Sequence, residues 1–83
     1  MDTLTVGLPS TKSLGRGNKL NLSLSKQYPT AKFAVITQTI NEDWVAISYN
    51  GFAGPNNSIV KTTYHNWYES TLSGAVFVNI FGI

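Results

Sequence analysis

Apolar and polar residues alternate along two segments in the first third of the chain. In residues 3–8 and 20–25, leucine or valine occupies every second position, and small polar residues or glycine occupy the others. A period of two is typical of a β-strand that buries one face. Pro9 follows the first segment, and we expect it to end that strand because proline has no backbone N–H to donate to a sheet.

The middle of the chain holds two segments that are apolar on both sides for part of their length, residues 33–40 and 44–49. Such two-sided patterns are typical of central strands. Three polar residues, 41–43, separate the two segments. A connection this short between two strand-like segments predicts a β-hairpin.

Residues 59–64 resume strand character, and one interpretation extends this strand to residue 68. A competing interpretation places a short helical turn near residues 66–72. Asn66 and Glu69 have the spacing of a helix capping box, but a helix of seven or eight residues is short, and the aromatic residues here favour a strand. The sequence leaves both alternatives open.

The C-terminal segment, residues 75–81, alternates again and is apolar at nearly every position. An unpaired strand edge of this composition invites aggregation. We therefore expect either that this strand lies between two strands of its own fold or that a partner covers it.

Two segments are rich in turn-forming residues. Residues 10–19 combine two glycines with small polar and basic residues, which predicts a flexible basic loop. Residues 50–57 are dense in glycine, proline and asparagine, which predicts an exposed loop. Phe52 lies in this second loop and would have no core to enter.

Together these patterns predict an all-β fold: a small antiparallel sandwich or partly open barrel of about six short strands. We expect the 83 residues to form one domain, 1–83, and they contain no cysteine. A chain of this length buries only about 60–65% of the surface that its unfolded form exposes. Without a disulfide, such a domain often gains stability by self-association or by docking on a larger body.

The composition argues against disorder, because the chain has ten aromatic residues and a net charge of only +2. Serine, threonine and asparagine number 25, and neutral polar surfaces of this kind are frequent in virion and lectin-like proteins. No apolar segment approaches the length of about 20 residues that a membrane span requires, and the N-terminus lacks the pattern of a signal peptide. These features favour a cytoplasmic or virion location and no membrane partner.

The residues that catalysis requires are scarce. His65 is the only histidine, and nothing near it in sequence would tune its pKa for general base catalysis. Glu42 and Asp43 are adjacent, but alternation would point them to opposite sides, so we assign no metal site. We expect a protein that is not an enzyme and needs no cofactor.

The leading hypothesis is a self-associating or docking β module, such as a small structural or decoration protein of a virion. Its predicted interaction surface consists of apolar residues in the 50–57 loop and the C-terminal strand. These residues are Phe52, Val76, Phe77, Val78, Ile80 and Phe81.

The alternative hypothesis is binding of single-stranded nucleic acid or another anionic ligand, as in a phage-borne inhibitor or sequestering protein. The first 32 residues carry a net charge of +4 and the remainder −2, and small β-barrels bind single strands with basic and aromatic side chains. The residues predicted for this role are Arg16, Lys19, Lys26, Lys32, Tyr64 and Trp67.

Overall fold

The computed structural model describes residues 1–12, 18–38, 45–66 and 71–83. Within these ranges the protein is all-β, with six strands arranged in two antiparallel three-stranded sheets that pack together. This confirms the predicted fold class. The strands are β1 (Asp2–Lys12), β2 (Asn18–Ser23), β3 (Phe33–Gln38), β4 (Val45–Ala53), β5 (Ile59–Asn66) and β6 (Thr71–Phe81).

The first sheet has the strand order β1-β6-β3, and the second has the order β2-β5-β4. The C-terminal strand β6 is therefore the central strand of the first sheet, paired with β1 on one side and β3 on the other. The first of the two alternatives for this strand is confirmed: its own fold pairs it on both sides. Its inward residues Val76, Val78 and Ile80 are almost fully buried.

The core lies between the two sheets and is built from the inward residues of both. Its fully or nearly buried members are Leu8, Leu22, Tyr28, Ala34, Ile47, Val60, Tyr64, Val76, Val78 and Ile80. Thr62 is buried among them, and its hydroxyl donates a hydrogen bond to the backbone carbonyl of Leu20 at 2.5 Å. This bond compensates for the loss of water at a buried polar group.

The predicted hairpin between residues 33–40 and 44–49 is wrong. β3 pairs with β6 in the first sheet, whereas β4 pairs with β5 in the second. β3 is also an edge strand and not a central one, and its outward residues Phe33 and Val35 are exposed. The apolar residues on both sides of β3 therefore do not reflect a central position in the sheet. Residues 39–44 lie outside the described ranges.

The first strand and the basic loop 10–19 also have bounds that differ from the predicted ones. β1 continues past Pro9 to Lys12, with a register shift between Leu8 and Thr11. A proline is tolerated at such an irregularity on an edge strand because the missing N–H breaks no central ladder. Of the predicted loop 10–19, both ends belong to strands, and residues 13–17 lie outside the described ranges.

The predicted exposed loop 50–57 begins later than expected, because β4 runs to Ala53. Tyr49 pairs with Thr62 and Gly51 with Lys61, so Asn50 is an extra residue in the strand. This β-bulge interrupts the alternation.

As a result, Tyr49 and Phe52 turn toward the same side, where their rings meet edge to face at 5.6 Å. Phe52 packs against the core and is partly buried. The expectation of an exposed Phe52 is wrong.

The segment between β2 and β3 closes one end of the sandwich. Tyr28 inserts its ring into the core, and its backbone N–H donates to the carbonyl of Asn56 at 2.8 Å. The side-chain amide of Asn57 donates to the carbonyl of Tyr28 at 2.9 Å. Asn56 and Asn57 have φ values of 53° and 56°, a left-handed conformation that asparagine tolerates.

For residues 66–72 the sequence left a strand and a short helical turn as alternatives, and the structure describes only the two ends of this segment. Asn66 belongs to β5, and Thr71 and Leu72 belong to β6. Residues 67–70, on which the helical alternative depends, lie outside the described ranges.

Candidate functional site: two opposite outer faces

The outward side chains of the first sheet form a surface that we call the aromatic face. It consists of Thr3, Thr5 and Gly7 of β1, Ala75, Phe77, Asn79 and Phe81 of β6, and Phe33, Val35 and Thr37 of β3. These residues alternate with the buried positions of the same strands. None of the ten carries a charge.

Large apolar side chains dominate the aromatic face. Phe33, Val35 and Phe77 are 46%, 47% and 40% exposed. Phe33 and Phe81 lie directly opposite each other in the β3–β6 register, and their rings stack with centroids 5.0 Å apart and planes 8° from parallel. The stack joins the side chains of two neighbouring strands into one aromatic cluster.

Asn79 lies at the middle of the aromatic face and is held by both neighbouring strands. Its amide nitrogen donates to the Val35 carbonyl at 3.0 Å and to the Thr37 hydroxyl at 3.1 Å. Its carbonyl oxygen accepts a hydrogen bond from the Thr3 hydroxyl at 2.9 Å. The polar atoms at the centre of the face are thus already hydrogen-bonded within the sheet.

The outer face of the second sheet has the opposite character, and we call it the lysine face. Its polar residues are Lys19, Asn21 and Ser23 of β2, Ser48 and Asn50 of β4, and Lys61, Thr63 and His65 of β5. Asn50 is hydrogen-bonded to the Thr63 hydroxyl across the strand pair. The Lys61 side chain lies over Gly51, and a Cβ at that glycine would be 3.6 Å from the Lys61 Cε.

The basic residues predicted for nucleic-acid binding do not share one surface. Lys19 belongs to the lysine face, whereas the Lys26 ammonium lies 3.8 Å from the Asp2 carboxylate at the end of the sandwich. The backbone N–H of Lys32 donates to the Phe81 carbonyl at 2.9 Å, near the end of the first sheet.

Of the two aromatic residues predicted for stacking on bases, only Tyr64 lies within the described ranges. Tyr64 has no exposed surface; as a stacking platform it is wrong, because it faces the core between the sheets. Arg16 and Trp67, the remaining predicted residues, lie outside the described ranges.

Apart from Phe52, which is partly buried against the core, the residues predicted for protein contacts divide into two groups. Val76, Val78 and Ile80 are buried in the core, so their assignment to an interaction surface is wrong. Phe77 and Phe81 lie on the aromatic face.

Sequence reasoning missed Phe33 and Val35 as members of this face. Their signal is the two-sided apolar pattern of residues 33–36, but the same pattern is typical of a central strand.

Tyr28 and Asp2 form a hydrogen-bonded ionisable pair in which both pKa values are shifted. The Tyr28 hydroxyl donates to the Asp2 carboxylate. This hydrogen bond lowers the pKa of Asp2, against the opposing effect of partial burial, and Lys26 lowers it further. Burial and the neighbouring carboxylate raise the pKa of Tyr28 to about 12. The pair fastens the end segment to β1 and faces no cleft among the described residues.

The described residues offer no enclosed site for chemistry. No cleft among them could hold a small molecule, and no three of their His, Asp or Glu side chains cluster as metal ligands would. The same residues contain no helix of the length and hydrophobicity needed to cross a membrane.

No protein-family model, curated protein or solved structure is significantly similar to this chain. Function must therefore be inferred from the two faces themselves.

Proposed function

We propose that this protein is a non-enzymatic binding module that acts through the aromatic face, by docking on a protein partner or by self-association. The observation that carries the proposal is a continuous uncharged surface with three large apolar side chains, Phe33, Val35 and Phe77, each 40–47% exposed. Contiguous apolar patches on small soluble proteins commonly mark interaction sites.

The exposed parts of these three side chains are large enough to contribute to the free energy of binding. Full burial of a valine or phenylalanine side chain is worth about 1.5–3 kcal/mol, so covering the exposed part of each of these three contributes about 1 kcal/mol. Phe33 is also stacked on Phe81, and this contact fixes both rings in place before a partner binds. Part of this gain offsets the loss of translational and rotational freedom on association.

The hydrogen bonds of Asn79 support the same proposal. Covering a polar group usually costs free energy unless the group is hydrogen-bonded. Because the Asn79 amide is bonded to Val35, Thr37 and Thr3 within the sheet, an apolar partner can exclude water from the middle of the face at little cost.

Nucleic-acid binding is the weaker proposal. Lys26 and Lys32 lie apart from the lysine face, and Tyr64 is buried. A basic groove with stacking platforms is therefore not assembled by the described residues. A role within a virion stays a prediction from composition.

The proposal is tested by photocrosslinking in the source organism or particle. A photoreactive phenylalanine analogue replaces Phe77 in one variant and Ser48, which is exposed on the lysine face, in the control. We expect a protein adduct from position 77 and none from position 48. Absence of an adduct at position 77, or equal adducts at both positions, would contradict the proposal.

A further inference from the structure

Resting on the proposed function, we infer that the aromatic face is covered by a second copy of this chain, packed face to face about a two-fold axis. A two-fold interface uses the same patch on both copies, so that patch must be complementary to itself. Both the charge and the shape of the aromatic face meet this requirement.

The charge distribution favours a second copy over a charged partner. None of the ten residues of the aromatic face is charged, so an acidic or basic partner would find no counterpart there. Two copies would meet without like-charge repulsion, because Lys19 and Lys61 lie on the opposite side of the sandwich. Those lysines would stay in water and keep the dimer soluble.

The shape of the face alternates along its central strand. The small Ala75 is followed by the large Phe77, then by Asn79, whose side chain is held against the sheet by its hydrogen bonds, and then by Phe81 with Phe33 stacked beside it. Large and small positions are therefore spaced two residues apart on β6.

A two-fold axis that passes above β6 at the level of Val78 places the large positions of one copy opposite the small positions of the other. This axis lies between the copies and perpendicular to the strands, so the two β6 strands run antiparallel. Phe77 then faces Asn79 of the second copy, and Phe81 faces Ala75. An axis parallel to the strands would instead set Phe77 against Phe77 and Phe81 against Phe81. Facing sheets pack about 10 Å apart and within about 30° of alignment.

The area is sufficient for a weak dimer. Three strands about 4.8 Å apart and seven residues rising about 3.3 Å each give a footprint of about 14 by 23 Å. With the relief of the side chains, two copies bury about 1,000 Å² in total, near the lower limit for a specific interface. We therefore expect dissociation in the micromolar range.

The first test measures the mass of the purified full chain by sedimentation equilibrium over a range of concentrations. The wild type should form a dimer that dissociates on dilution. Thr5→Lys places a charge beside Phe77 on the aromatic face and should weaken the dimer at least tenfold. Ser48→Lys introduces the same charge on an edge strand of the other sheet and should leave the dimer unchanged. A folded Thr5→Lys variant is verified by its thermal transition.

The second test examines the orientation of the two copies. With the inferred axis, Val35 of one copy faces Thr37 of the other. Val35→Glu and Thr37→Lys should each weaken self-association, whereas an equimolar mixture of the two variants should form a mixed dimer that neither forms alone.

These outcomes separate the inference from the proposed function. A wild type that stays monomeric at hundreds of micromolar, together with an adduct from position 77 to a different protein, would overturn the second copy as occupant but keep the binding face. A monomer with no adduct would overturn both. A dimer that Thr5→Lys leaves intact, or that Ser48→Lys disrupts equally, would place the interface elsewhere, and failure of the mixture would exclude the inferred axis.

Discussion

The buried hydroxyl of Tyr64 permits a sharp test of the core. Tyr64 has no exposed surface, and its hydroxyl finds no hydrogen-bond partner among the described residues. A buried polar group without a partner costs about 1–3 kcal/mol. Tyr64→Phe removes this cost and leaves a gap of a single atom, which forfeits a few tenths of a kcal/mol of packing. We expect a net gain of about 1 kcal/mol in the free energy of unfolding.

The matched control is Tyr28→Phe, the same change at a tyrosine whose hydroxyl is bonded to Asp2. This variant should lose about 1 kcal/mol, because it removes the hydrogen bond and leaves the ring in place. Both variants are compared with the wild type by thermal and urea unfolding at one protein concentration, since self-association would raise the apparent stability. A shift of 1 kcal/mol corresponds to about 4–8 °C in Tm for a domain of this size. A clear loss of stability in Tyr64→Phe would refute the reasoning and place a partner for the hydroxyl in a segment outside the described ranges.

Three further predictions concern Gly7, Gly51 and the pH dependence of stability. Gly7→Ala should stabilise the protein by about 0.5 kcal/mol, because the new Cβ meets open space and the unfolded chain loses freedom. Gly51→Ala should destabilise it by about 1–2 kcal/mol, because φ is +124° at the bulge; urea unfolding of both variants gives the sign, and a neutral Gly51→Ala would contradict the strained conformation. With the pKa of Tyr28 raised to about 12, stability should be fully present below pH 10 and fall as the pH rises from about 10 to about 12, since the unfolded tyrosine loses its proton first. In the Tyr28→Phe variant this alkaline loss should be smaller, and an unchanged pH profile would argue against the shifted pKa.

The sequence was a good guide to which segments form strands and a poor guide to which strands pair. The alternation in residues 3–8, 20–25 and 75–81 predicted β1, β2 and β6, because a period of two is a local property of a strand that buries one face. Pairing is a property of the whole sheet. The short connection at 41–43 favoured a hairpin, yet β3 and β4 belong to different sheets, and no local pattern distinguishes a strand that pairs with its neighbour from one that changes sheet.

The candidate site could be predicted only in part, and the bulge at Asn50 shows why. An uninterrupted alternation through β4 would place Tyr49 and Phe52 on opposite sides of the strand. One extra residue brings both inward, which removes Phe52 from the surface. A single inserted residue reverses the facing of every side chain beyond it, so the composition of an outer face depends on irregularities that periodicity cannot detect.

The strand β3 connects the sequence to the proposed function most directly. Its apolar residues on both sides indicate a strand that is buried on both sides. In the structure the core covers only the side that carries Ala34 and Ile36, while Phe33 and Val35 remain exposed on the other. The monomer thus supplies one of the two coverings that the pattern implies. In the proposed function, a binding partner supplies the second covering, over Phe33 and Val35. The two-sided apolar pattern of β3 then reflects association with that partner and not a central position in the sheet.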